Sequence, residues 1–469
     1  MVANVVGAAH LARGTQRRLI LFTMCLGVLI AQIDASVVNL ALAPIGADLR
    51  VPVSVLQWVI DAYNLVYACL LLTSGTLSDL YGRRRIFMLG VAIFAIGSLI
   101  CGFAPDETIL IAGRALAGLG AALSLPTSLA ILAVTYDDTA ERAHAIGIWA
   151  SCYGVAMAIG PTLGGVLVAV AGWRSIFLMV VPIAGLALMT TMKVLPESRD
   201  PAGRHLDLPG QALAILALGA LTVAAIEAPH WTSRLVAFCA AIAFVASVLF
   251  VAVEARTGGA LVPLAILRRR GLSAAMACAS LMTFGVYGMM FLVPLYLQQQ
   301  HGASVVAAGL ELLPLSLVYV AVSHRIGALS TRWGPRMVMT AGMACMGTGM
   351  LLLSAVSAAT SLYVIELELA LLGIGLGLNT GPVNSVAVAA VPAARSGTAS
   401  GLLNTARMVG ATLGVAILGA VFALRAGQGS PASVATGWRA AFLIGGGGEM
   451  LGALIAFGFI RRDALSRVG

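Results

Sequence analysis

Gly75-Thr-Leu-Ser-Asp-Leu-Tyr-Gly-Arg-Arg-Arg85 is a short charged interruption between two apolar runs, 54–76 and 84–103. Its pattern returns as Gly327-Ala-Leu-Ser-Thr-Arg-Trp-Gly-Pro-Arg336, with Gly, Leu, Ser, aromatic, Gly and Arg in register. A second pair, Gly172-Trp-Arg-Ser-Ile-Phe-Leu178 and Gly437-Trp-Arg-Ala-Ala-Phe-Leu443, recurs in the same order. Repeated loops of this kind, set between apolar runs, are the trace of a membrane protein built from two related halves.

Working outward, uncharged runs of about 20 residues recur at the length that crosses a hydrocarbon core of about 30 Å as helix. Helix is also the form that satisfies its own backbone groups in lipid. Fourteen such runs are predicted, at 19–43, 54–76, 84–103, 108–134, 143–169, 174–195, 208–227, 234–253, 271–297, 304–327, 336–356, 360–388, 398–424 and 438–460. The composition agrees, since the 469 residues are 60% apolar and only 10% charged, far from a soluble domain. The expected fold class is therefore an all-α polytopic membrane protein. The first echo joins runs 2 and 3 to runs 10 and 11, and the second precedes runs 6 and 14. Both alignments predict two six-helix bundles, 14–196 and 266–462, with an inserted hairpin at 205–257. The polar segments 196–207 and 254–270 that flank the hairpin are too short to hold a soluble ATPase or binding module.

The net charge of +9 reads as topology rather than nucleic-acid binding. An even number of spans puts both termini on one side, and 21 of the 28 basic residues fall in loops on that side, against five opposite. By the positive-inside rule both termini are cytoplasmic. Arg17 and Arg18 followed by an apolar core imitate a signal peptide, but the run is too long and contains Asp34. Seven cysteines stand singly within the spans with no metal or redox spacing, and no His-Glu-x-x-His, Gly-x-Ser-x-Gly or phosphate-loop motif occurs. Enzymatic chemistry has no residues to carry it.

Charges inside the spans carry the functional signal. Asp34 is the only charge between Leu19 and Ala47. A carboxylate at that depth costs about 2.5 to 3.5 kcal/mol on insertion scales and marks an ion or substrate path. Arg114 and Arg407 also lie within spans, and Arg407 has no acidic partner in its own helix. Glu311 stands about two turns inside the tenth run and Glu449 deeper in the fourteenth, after Gly445 to Gly448. Asp61 falls in the outer half of the second run, where it reads equally as a solvated carboxylate or a vestibule site for cations. Glu227, Glu366 and Glu368 are expected at the outer interface.

The segment 75–85 resembles the loop between helices 2 and 3 of the major facilitator superfamily, Gly-x-Leu-x-Asp-x-x-Gly-Arg-(Arg/Lys). Gly75 and Gly82 permit close approach and a tight turn, while Asp79, Arg83 and Arg84 can latch to helix ends and partner charges. Gly154-Val-Ala-Met-Ala-Ile-Gly-Pro-Thr-Leu-Gly-Gly165 resembles that superfamily's antiporter signature, with Gly160 and Gly164 as a close-packing surface, Gly165 beside them and Pro161 as an expected bend. Ile33-Asp34-Ala-Ser-Val-Val-Asn-Leu-Ala-Leu-Ala-Pro44 resembles the first-helix signature of the fourteen-helix drug:proton antiporters, departing from it by Ser36 and by an extra Ala43 before the proline.

The resemblance implies the major facilitator fold and alternating access. It implies a monomeric inner-membrane exporter of amphipathic, often cationic, compounds, needing no cofactor and driven by the proton gradient. Arg114 resembles a fourth-helix arginine implicated in proton coupling. Asp34 is then expected to load a proton in one state and release it as Arg114 or a cationic substrate approaches. A static Asp34 to Arg114 ion pair is the plainer alternative. A dedicated exporter of one metabolite, antibiotic or siderophore fits the same scaffold, and a non-transporting membrane sensor is the alternative of another class.

Overall fold

The computed structural model describes residues 2–136, 138–200, 206–257, 262, 264–357, 360–392, 395–427 and 430–461. Residues 201–205 of the expected linker, Arg462 and Arg467 lie outside that set. The described residues form helices and no strands, and fourteen helices are long and apolar enough to span a membrane. They are α1 Thr15–Leu49, α2 Val53–Tyr81, α3 Arg83–Gly102, α4 Glu107–Thr135, α5 His144–Ala171, α6 Ser175–Val194, α7 Leu208–Glu227, α8 Ser233–Glu254, α9 Arg270–Gln299, α10 Val305–Gly327, α11 Leu329–Leu353, α12 Leu362–Ala389, α13 Gly397–Ala426 and α14 Ala432–Phe459. Each expected run corresponds to one helix. Two prolines expected to mark an end or a bend leave the helix assignment unbroken, since α1 continues past Pro44 to Leu49 and α5 past Pro161 to Ala171. A transmembrane helix tolerates the lost backbone bond where neighbours pack around it.

The first repeat is visible in the backbone. Gly82 (φ 108°) separates α2 from α3, and Gly334 (φ 77°) is a non-helical residue that kinks the chain early in α11. Only glycine adopts such angles without strain. The second repeat braces the opposite end of the molecule. Trp173 Nε1 donates to Asp48 Oδ2 at 3.0 Å, tying the entry of α6 to the end of α1, and Trp438 Nε1 donates to the Leu353 carbonyl at 2.6 Å, tying α14 to the end of α11.

Helices α1 to α6 pack into one bundle and α9 to α14 into the other, and the bundles meet where α2 lies on α13 and α5 on α10. The inserted hairpin lies against α2 and α13. Gln211 of α7 donates to the Cys69 carbonyl of α2 at 2.7 Å, and Trp58 of α2 donates to Glu227 of α7 at 2.9 Å.

Burial is distributed unequally along the membrane normal. On the side away from the chain termini a single apolar core runs through both bundles, from Val37, Leu56 and Trp173 to Phe291, Leu312, Leu369 and Trp438. On the terminal side there are two cores. One holds Met24, Tyr67, Phe87 and Leu132 of the first bundle, the other Leu272, Met339, Val383 and Leu402 of the second. The buried core is thus shared between the bundles at the far end and divided between them at the terminal end. Cross-bundle hydrogen bonds follow suit: Gln57 donates to the Val415 and Ala416 carbonyls at 3.1 Å each, and Gln298 to the Leu40 carbonyl at 3.2 Å.

Candidate functional site

Asp34 on α1 and Arg114 on α4 are brought together, with Arg114 Nη1 donating to Asp34 Oδ2 at 2.6 Å and both side chains 1% exposed. Arg114 Nε donates to the Val59 carbonyl of α2 at 2.8 Å. Its guanidinium lies over the Tyr63 ring, 4.5 Å from the centroid, and Tyr63 in turn donates to the Ala31 carbonyl at 3.3 Å. One arginine therefore ties α1, α2 and α4. The second carboxylate oxygen of Asp34, Oδ1, has no hydrogen-bond partner. A buried pair of this kind is held by mutual compensation, because neither charge can be left in lipid-like surroundings alone.

The signature on α5 forms the joint between the bundles. A Cβ on Gly160 would collide with Ser36 and one on Gly164 would lie 2.7 Å from Val37 Cγ1, so α5 presses directly on α1 beside Asp34. On its other side Gly165 meets Val305 and Val306 of α10, while the Pro161 carbonyl faces Gly309. Gly154 stands in looser contact, with Tyr319 as its nearest neighbour. The same construction appears in the second bundle, where Gly410-Ala-Thr-Leu-Gly414 echoes Gly160-Pro-Thr-Leu-Gly164. There Gly410 and Gly414 press on the Ser280 and Phe284 carbonyls of α9.

The loop residues fasten α2 and α3 to the end of α6 within the first bundle. Asp79 Oδ1 accepts from Arg83 at 2.8 Å, and Arg84 Nη2 donates to the Met192 carbonyl at 3.0 Å in the last turn of α6, where a cation suits the helix dipole. Glu197 accepts from the Arg84 backbone N–H at 3.0 Å and lies against Gly82, leaving no room for a side chain there. Gly75 has open space around its Cα. The counterpart in the second bundle is Arg336, whose guanidinium stacks on Phe457 of α14 at 4.1 Å.

The remaining carboxylates are scattered. Asp61 is fully buried, which corrects the solvated or vestibule placement. It stands one turn below Gln57, on the face of α2 that meets α13, and neither carboxylate oxygen has a hydrogen-bond partner. Glu449 is equally buried and unpartnered, packed where a Cβ on Gly285 of α9 would collide with it. Glu311 is half-buried on α10, close to Glu366 of α12. Glu368, near the start of α12, is buried. The glycines of α12 are packing residues, since Gly373 and Gly377 press on the Leu315 and Tyr319 carbonyls of α10.

One constellation has no counterpart in the motifs. Arg407 on α13 donates to Asn404 Oδ1 at 3.3 Å, while its Nε and Nη2 are buried without a partner. The phenols of Tyr67 (α2), Tyr153 (α5), Tyr287 (α9) and Tyr319 (α10) lie within electrostatic range of it. Tyr67 and Tyr319 hold matched positions in the repeat, each the same interval ahead of Gly75 and Gly327, which is the one sequence signal that links them.

A family model for the Major Facilitator Superfamily matches residues 24–415. The chain belongs to this superfamily. As a major facilitator protein it is a multi-pass membrane transporter of small molecules and not an enzyme. It is 39% identical over 400 residues to the multidrug resistance protein Stp of Mycobacterium tuberculosis, covering 85% of this chain and 74% of that one. It is 35% identical over 447 residues to the methylenomycin A resistance protein of Bacillus subtilis, covering 94% of each. In fold it is similar to the crystal structure of a bacterial homologue of the human lysosomal transporter Spinster, with a TM-score of 0.68 at 18% identity over 96% of this chain and 98% of that one.

Proposed function

We propose that this major facilitator protein exports amphipathic compounds, antibiotics among them, across the bacterial inner membrane in exchange for protons, by alternating access. The observation that carries the proposal is the Asp34 carboxylate, buried on α1, with one oxygen on Arg114 and the other without a partner. It sits beside the α5 joint, so the group able to hold a proton lies against the helix pair that connects the two bundles. Relatives named for multidrug and antibiotic resistance support export as the direction and drugs as the cargo. With both termini cytoplasmic, as the basic loops indicate, a core shared at the far end and divided at the terminal end supports an inward-facing reading.

Proteoliposomes loaded with a pH-sensitive dye test the exchange. Substrate added to vesicles containing the intact protein is expected to drive proton movement, and Asp34→Asn is expected to abolish it while binding persists. Absence of substrate-dependent proton movement, with Asp34→Asn transporting normally, overturns the proposal. A narrow substrate range is a second reading, favoured by the relative named for a single antibiotic that aligns over 94% of both chains. A susceptibility panel of diverse drugs separates broad from dedicated export.

A further inference from the structure

Arg407 poses a physical problem that the exchange mechanism does not use. Its Nε and Nη2 atoms are shielded from solvent and make no hydrogen bond, and among the described residues no carboxylate forms an ion pair with it. A cation left in that condition is costly and marks a function. Its surroundings point to a ligand rather than to a structural partner. Asn404, one turn away on the same helix, satisfies Nη1 alone. Among the described residues the ionisable groups near it are four phenols, two from each bundle.

Those phenols meet at the junction of the bundles. Tyr67 and Tyr153 come from α2 and α5, Tyr287 and Tyr319 from α9 and α10, and each of these helices touches the other bundle, α2 on α13, α5 on α10 and α9 on α1. Met408, next to Arg407, packs on the terminal-side core of the first bundle although it belongs to the second. Leu72 of α2, likewise, contacts the corresponding core of the second bundle. Arg407 therefore stands on α13 where the two bundles touch, next to a residue that crosses from one to the other.

A guanidinium carries five N–H donors and no acceptor, arranged to grip a carboxylate or a comparable planar anion with two parallel bonds. Phenol O–H groups add donors, and tyrosine rings add flat apolar surface. We propose that Arg407 and the tyrosines Tyr67, Tyr153, Tyr287 and Tyr319 form the substrate subsite for an anionic group on an aromatic or otherwise apolar compound. This deepens the export reading and rests on it for the direction of transport. It departs from the often cationic cargo that the family resemblance implies: in the structure Arg114 neutralises Asp34, and Arg407 is a cation without a carboxylate at the junction. Since both bundles supply tyrosines, an anion held there touches both at once.

Equilibrium binding to the full-length protein in nanodiscs, with no pH gradient, tests the subsite. The probes are 1-naphthaleneacetate, its neutral amide and the matched naphthylethylamine. The acid is expected to bind at least tenfold more tightly than the amide, and the amine least. Arg407→Gln is expected to weaken the acid at least tenfold and leave the amide unchanged, Arg407→Lys to restore part of the difference, and Tyr319→Phe to weaken the acid a few-fold. Equal binding of acid and amide overturns the proposal, as does failure of the acid to bind. A uniform loss for all three probes in both Arg407 variants also overturns it, because that outcome assigns Arg407 to structure. Asp34→Asn measured alongside separates the two proposals. Acid binding that survives in this variant while proton movement is absent even from the intact protein leaves the subsite standing and rejects the exchange.

Discussion

Gly160 and Gly164 seat α5 on α1 as Gly410 and Gly414 seat α13 on α9, yet the arginines near these matched helix pairs have opposite surroundings. In the first bundle Arg114 holds a carboxylate, a carbonyl and a ring face. In the second Arg407 holds one amide oxygen and two empty donor positions. The loops repeat the contrast, because Asp79, Arg83, Arg84 and Glu197 knit the first into an ionic cluster while Arg336 in the second has an aromatic ring. Duplication preserved the backbone contacts and let the electrostatics diverge. One bundle neutralises its buried arginine with a carboxylate; the other leaves its arginine uncompensated.

The sharpest way to break this contrast is to remove each arginine. Arg114→Met strands the Asp34 carboxylate and is expected to cost about 3 to 5 kcal/mol, read as a fall in thermal midpoint in detergent, with Asp34→Asn in the same chain recovering most of it. Arg407→Met is expected to stay within about 1 kcal/mol of the parent, since it deletes a charge that nothing compensates. Equal losses from the two variants would erase the distinction between the bundles. The matched glycines come next. Gly414→Ala drives a methyl into the Phe284 backbone and is expected to cost about 1 to 3 kcal/mol. Gly164→Ala meets Val37 Cγ1, a side-chain atom able to rotate, and is expected to cost about half as much by the same measurement.

The loops supply the smallest effects. Glu197→Gln and Arg336→Gln are each expected to lower stability by no more than about 1 kcal/mol. Raising the ionic strength to about 1 M should shrink the Glu197 effect, because salt screens exposed charge pairs. The Arg336 effect should remain, since its guanidinium lies against a ring. The same salt response in both would mean that the loops work alike after all.

Much of this architecture is legible in the sequence because lipid imposes a length on every span, and Gly82 and Gly334 announce their turns by type and spacing. Asp34 and Arg114 are legible for the same reason, being lone charges in apolar runs that must find each other. Hydropathy fixes depth but not direction. The burial of Asp61 is therefore not legible in its own span, since it depends on α13, more than 300 residues further along the chain. The tyrosines around Arg407 were invisible because each stands alone in its own helix, and only the folded junction gathers them.

The inserted hairpin closes one flank of the molecule and not the other. Helix α7 is pinned along α2 by Gln211 and Glu227 and also lies on α13, so the α2 and α13 seam is shuttered from the bilayer. Among the described residues no such cover lies over α5 and α10, whose Ile159, Val166 and Leu317 face outward at 51%, 45% and 59% exposure. The two seams between the bundles therefore differ in what surrounds them: α2 and α13 meet behind a helical hairpin, whereas α5 and α10 meet with their own apolar side chains turned outward.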